Sequence, residues 1–129
     1  MSEALRFAPA LGRIMMAIIF IWAGYGKVTD FAGSVGYAES AGMPMASIAI
    51  ALAILIELGG GIALILGFKA RLAAGALAVF CVLAAVIFHR NLSDYNEFLF
   101  FWKDITIAGG LLQVVYFGAG PLSMDNRGK

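Results

Sequence analysis

Charge is scarce in this sequence. Asp, Glu, Lys and Arg together fill 13% of its 129 positions, nine basic against eight acidic, for a formal net charge of +1. A soluble domain of this size carries charge at roughly a quarter of its positions, because a small globule has much surface and little interior. Disordered chains and nucleic-acid binders need strong charge, so the balance excludes both classes and any nucleic-acid partner. Cysteine is equally thin. Cys81 stands alone, which excludes a disulfide scaffold and thiol exchange within the chain, and it reads as a buried, inert thiol. A glycine-rich phosphate loop and metal-ligand spacing are both missing, so no nucleotide or metal site is expected.

What the chain has in abundance is apolar sequence, 62% of its residues. Four runs carry it, at about 7–26, 43–68, 72–88 and 98–117. Each is long enough, or nearly so, to cross a hydrocarbon core of about 30 Å as a helix rising 1.5 Å per residue. A single chain this short cannot close a membrane barrel, which leaves helices as the spanning structure. The expectation is an all-α membrane protein, an antiparallel four-helix bundle in one domain, with lipid as its principal partner. Asp30–Ser34 and Ala41–Pro44 break the chain after the first run, Gly67–Arg71 makes a tight connection, and Arg90–Glu97 is a polar loop. A cleaved signal peptide is disfavoured by Arg13 inside the first run and by its Gly24-Tyr25-Gly26-Lys27 end.

Four alternating spans put Arg6, Arg13, Lys69, Arg71, Arg127 and Lys129 at one membrane face and Lys27, Arg90 and Lys103 at the other. The positive-inside rule then predicts that both termini are cytoplasmic.

Ionisable groups within a span are costly in hydrocarbon unless paired or hydrated, which makes them the candidate functional residues. Arg13, Glu57, Lys103 and Asp104 qualify, and Lys27 and His89 sit at the outer rim. Arg13, Ala17, Phe20, Gly24 and Lys27 share one helical stripe. Gly75, Ala78, Val82, Ala85 and His89 form another, and Lys103, Thr106, Gly110 and Gln113 a third. With Glu57 above Gly60 and Gly61, these stripes are expected to enclose one polar core. Depth arithmetic pairs Arg13 with Glu57 as a buried ion pair, which either locks the bundle or serves chemistry. Lys27, His89, Lys103 and Asp104 are the candidate ligand-binding residues. Their charges suit a small anion or the oxygen of a quinone-like headgroup, with snorkelling lysines as the simpler alternative.

In this order the residues resemble the DoxX family of small four-helix bacterial membrane proteins. The resemblance rests on Arg13, Gly24 and Lys27, on Glu57-Leu58-Gly59-Gly60 with Leu66-Gly67 and Arg71, on His89, and on Lys103-Asp104 with Gly109-Gly110-Leu111-Leu112. The tail Gly118-Ala119-Gly120-Pro121-Leu122-Ser123-Met124-Asp125 completes it. It implies a multi-pass protein of the bacterial inner membrane that serves as a small subunit or accessory of a quinone-linked oxidoreductase. Other membrane subunits, or further copies of the chain, would be its partners. The sequence carries no redox centre of its own, so catalytic residues stay unassigned and quinone is the one cofactor implied. The alternative is a structural subunit without catalysis. A transporter using Glu57 is weaker still, for lack of an inverted repeat.

Overall fold

Each apolar run folds as a helix, since in lipid every backbone N–H and C=O has to find its partner within the segment. The structure, a computed structural model, describes residues 3–127; Lys129 of the topology count lies outside the described residues. The first span is Ala8–Thr29, entered through a 3-10 turn at Glu3–Phe7 and started by Pro9 in its first turn. The second, Ala46–Leu66, is one continuous helix with a π turn at Leu55–Gly59. The third is Ala70–Phe88, and the fourth is Tyr95–Phe117. All four are long and apolar enough to cross a membrane. Among the described residues there is no strand.

The segment after the first span, expected only to break the chain, instead forms a short helix, Phe31–Ser40. Asp30 caps it by accepting from the Gly33 N–H at 3.1 Å. The helix is held from beneath, where Ala38 packs on Ala46 and Ile50 and Tyr37 stacks on Phe88 with 5.4 Å between ring centroids. The fourth span likewise starts earlier than expected. Asp94 accepts from the N–H groups of Asn96 and Glu97, at 2.9 and 3.3 Å, and so begins the helix at Tyr95 rather than near residue 98.

Arg13, Ala17, Phe20 and Gly24 are the buried residues of the first span, in agreement with their shared stripe. The other stripes need correction. The third span buries Ala74, Leu77, Ala78, Cys81 and Ala85, while Val82 faces outward. The fourth buries Ala108, Leu111 and Val114 and leaves Thr106 and Gln113 exposed. The middle of the bundle is therefore apolar, centred on Leu64, Leu77 and Leu111. Its buried charges lie to either side of that centre, Arg13 toward the turn at Gly67 and Glu57 toward the cavity on the loop side. This division follows from cost, since alanine and leucine fill space without a hydrogen-bonding debt and a polar stripe at mid-depth would need partners along its whole length.

Close packing between the first two spans fixes their register. A Cβ on Gly24 would lie 2.7 Å from Leu58 Cγ and 3.4 Å from Glu57 Cβ, and one on Gly61 would lie 3.4 Å from the Ala17 carbonyl. Small residues at these crossings let the backbones approach, as is common where helices pack in lipid.

Candidate functional site

The end of the bundle where the first span begins and the fourth ends is closed by backbone. Gly67, at φ +66°, ends the second span in a Schellman turn, with the Phe68 N–H donating to the Ala63 carbonyl at 2.9 Å and the Gly67 N–H to that of Leu64 at 3.2 Å. The tail folds onto this turn. The N–H groups of Met124 and Asp125 donate to the carbonyls of Leu66 and Gly67, each at 2.9 Å. The Asp125 carboxylate accepts from the N–H groups of Lys69 and Ala70, both at 2.7 Å, and so caps the third span. Arg71 donates to the Val115 and Tyr116 carbonyls at the end of the fourth.

Arg13 belongs to this closure. Its guanidinium donates to the carbonyls of Leu64 at 2.7 Å, Ile65 at 3.1 Å and Leu122 at 2.9 Å. The expected Arg13–Glu57 ion pair does not form. Ala17 meets Gly61 and Gly24 meets Glu57, so Arg13 lies level with the end of the second span. From position 64 back to position 57 is roughly 10 Å at about 1.5 Å per residue, beyond the guanidinium's reach. The three carbonyls sit where helix ends leave acceptors unsatisfied, and a planar fork of five donors suits them.

Glu57 pairs instead with Lys27, whose Nζ lies 2.8 Å from Oε1. The carboxylate is buried and sits in the π turn, a helical irregularity that often marks functional sites. Lys27 stands a turn above it and reaches down along the apolar wall, which leaves its own side chain 24% exposed.

The Lys27–Glu57 pair forms one side of a cavity of about 650 Å³ at the loop end of the bundle. All four spans and the short helix contribute walls, and Phe20, Ile50, Ala53, Phe80 and Ile87 make most of the lining apolar. His89, Lys103 and Asp104 complete the polar part. The structure thus brings Lys27, His89, Lys103 and Asp104 to one space, adds Glu57 to them, and separates Arg13 from them. The Lys103 ammonium stands 5.1 Å from the centroid of the Phe100 ring. His89 is held between two carboxylates, with Nδ1 3.0 Å from Glu97 Oε2 and Nε2 3.8 Å from Asp104 Oδ2.

Glu97, which touches His89 from outside the cavity, is a neighbour of the site that sequence reasoning missed. Its signal was present, because Asp94 at the cap places Glu97 on the first turn, seven residues before Asp104 and on the same face. Cys81 is buried and also lines the cavity. Among the described residues no group of three or more His, Cys, Asp or Glu side chains is arranged to hold a metal ion. The cavity offers one cation–carboxylate pair, one imidazole flanked by acids and a free-standing ammonium above an apolar pocket. That combination can orient a small headgroup through its oxygens.

Comparison with known proteins agrees with this architecture. The DoxX family model matches residues 8–90, which include Lys27, Glu57 and His89 but neither Lys103-Asp104 nor the tail. The chain is 42% identical over 115 residues to the Escherichia coli inner membrane protein YqjF, covering 89% of this chain and 87% of that one. It is 33% identical over 122 residues to the Escherichia coli inner membrane protein YphA, covering 91% and 87%. No solved structure gives a significant match.

Proposed function

The chain belongs to the DoxX family of integral inner-membrane proteins, and from that premise we propose that it serves as a small subunit or accessory of a membrane oxidoreductase, binding a quinone or related small molecule in the loop-end cavity. The observation that carries this reading is the cavity itself. Its volume of about 650 Å³ falls within the range of roughly 300–1,000 Å³ usual for small-ligand sites, and apolar walls with few polar groups are their usual composition. Lys27, His89, Lys103 and Asp104 contact the headgroup oxygens, Glu57 holds Lys27 in place, and the isoprenoid or alkyl part lies among the apolar helices. The chain supplies binding and orientation, while a partner subunit supplies electrons.

The test is quinone content and titration. Protein extracted in mild detergent is analysed for co-purifying quinone, then reconstituted in nanodiscs and titrated with decylubiquinone while the fluorescence of Trp22 and Trp102 is followed. Bound quinone and saturable quenching that Lys103→Ala weakens are expected. No quinone in the extract together with no saturable response refutes the reading.

A structural role without catalysis is favoured at the opposite end, where the acceptors of Arg13 among the described residues are backbone carbonyls. Under a wholly structural role, Lys103→Ala and His89→Gln leave both complex assembly and the activity of the assembled complex intact. Under the ligand reading assembly survives and ligand-dependent activity falls.

A further inference from the structure

We propose that Glu97, His89 and Asp104 form a proton path from the loop-end surface into the cavity, so that the bound headgroup is one whose oxygen gains or loses a proton, a phenol or quinol. The identity of the headgroup rests on the ligand reading above, whereas the path stands on its own geometry.

His89 is the chain's single histidine. Its backbone N–H ends the third span by donating to the Ala85 carbonyl, so that cap makes no use of the ring. The ring is nevertheless fixed on three sides, by Glu97 Oε2 at 3.0 Å from Nδ1, by Asp104 Oδ2 at 3.8 Å from Nε2, and by the Phe100 ring at 5.4 Å between centroids. Exposure falls along the series, from 28% for the Glu97 side chain through 18% for His89 to 15% for Asp104. His89 and Asp104 line the cavity, and Glu97 stands outside it. One end of the string therefore meets solvent and the other meets the ligand space.

Imidazole is suited to such a relay because it takes a proton at one nitrogen as it gives one from the other. A proton from water reaches the Glu97 carboxylate and passes to Nδ1. The Nε2 proton passes to Asp104 Oδ2 once a small ring rotation shortens the 3.8 Å gap, and Asp104 gives it to the ligand oxygen. Delivery leaves the neutral ring with its proton on Nδ1, and a turn of the ring that presents this proton to Asp104 and the bare nitrogen to Glu97 readies it for the next transfer. One proton enters for each proton delivered, no electron moves, and the reverse sequence removes the proton of a bound hydroxyl. The other charged groups around the path are Arg90 next to His89, Lys103 next to Asp104, Asp30 on the far wall, and Lys27 and Glu57, which offset one another.

Two measurements on the full chain in nanodiscs test this. With 15N-labelled histidine the single imidazole gives one pair of nitrogen signals, and Glu97→Gln is expected to move that of Nδ1 and Asp104→Asn that of Nε2. In the second, 4-nitrophenol is the bound probe, and protonation of its phenolate after a pH jump is followed by absorbance. Glu97→Gln is expected to change its affinity by less than about twofold and to slow protonation by about 100-fold, the scale of a lost acid–base relay. Unchanged rates in Glu97→Gln, or an Nε2 signal indifferent to Asp104→Asn, overturn the path. If the unaltered protein fails to bind 4-nitrophenol while both nitrogen signals respond, the phenolic headgroup falls and the path stands.

Discussion

The pairing of Glu57 gives the sharpest test of the geometry. Lys27→Met removes the cation 2.8 Å from a carboxylate that is 3% exposed. At that distance and an effective dielectric of about 20, the Coulomb attraction is about 6 kcal/mol. Desolvation of both groups offsets much of it, while leaving a buried charge alone costs about 3–5 kcal/mol. Lys27→Met is therefore expected to destabilise the fold by about 3 kcal/mol or more. Lys27→Met with Glu57→Leu should restore most of that loss, because the orphaned charge is gone. A double-mutant cycle on Lys27 and Glu57 should give a coupling of about 1–3 kcal/mol, and one on Arg13 and Glu57 no more than about 0.5 kcal/mol, as befits groups roughly 10 Å apart. Reversible unfolding in mixed micelles, followed by tryptophan fluorescence, measures each corner. An Arg13–Glu57 coupling as large as that of Lys27 and Glu57 refutes the register argued from Gly24 and Gly61.

Two further outcomes follow from the ends of the bundle. Asp125→Ala removes the acceptor of the Lys69 and Ala70 N–H groups, and should cost about 1–2 kcal/mol in the same assay, as lost helix caps do; an effect below about 0.3 kcal/mol would show that the tail does not cap the third span. With Cys81 replaced by Ala, single cysteines at Asn91 and at Ser123 in intact cells should react oppositely with a membrane-impermeant thiol reagent. Asn91→Cys is labelled and Ser123→Cys is protected if both termini face the cytoplasm, and the reverse pattern inverts the topology.

The four spans were legible because apolar runs bounded by Gly, Pro and charge leave little freedom. The short helix Phe31–Ser40 was not. Its Gly33, Ser34, Gly36 and Ser40 have poor helix propensity, and what holds it, the packing of Ala38 and the Tyr37–Phe88 stack, is tertiary. The residues around the cavity were legible as a group, since Lys27, His89, Lys103 and Asp104 fall at one depth once the spans are drawn. Pairings were harder. Assigning Arg13 to Glu57 treated depth as counting from the membrane edge, whereas depth is set by where small residues let helices meet, at Gly24 and Gly61. Nor does linear sequence reveal that a tail more than a hundred residues away supplies a carbonyl to Arg13. The small-residue stripe of the third helix departed only at Val82, whereas that of the fourth failed at Thr106 and Gln113 because polarity was taken as facing inward, and the apolar centre of the bundle excludes it.

The Arg13 contacts also set an order of events during synthesis. The acceptors of Arg13 at Leu64 and Ile65 lie 51 and 52 positions later in the chain, and Leu122 lies 109 positions later. At roughly 5–20 residues per second, translation leaves the guanidinium without its last partner for roughly 5–20 s. All four spans are thus made before Arg13 gains its last acceptor, and a chain interrupted ahead of Leu122 lacks that contact.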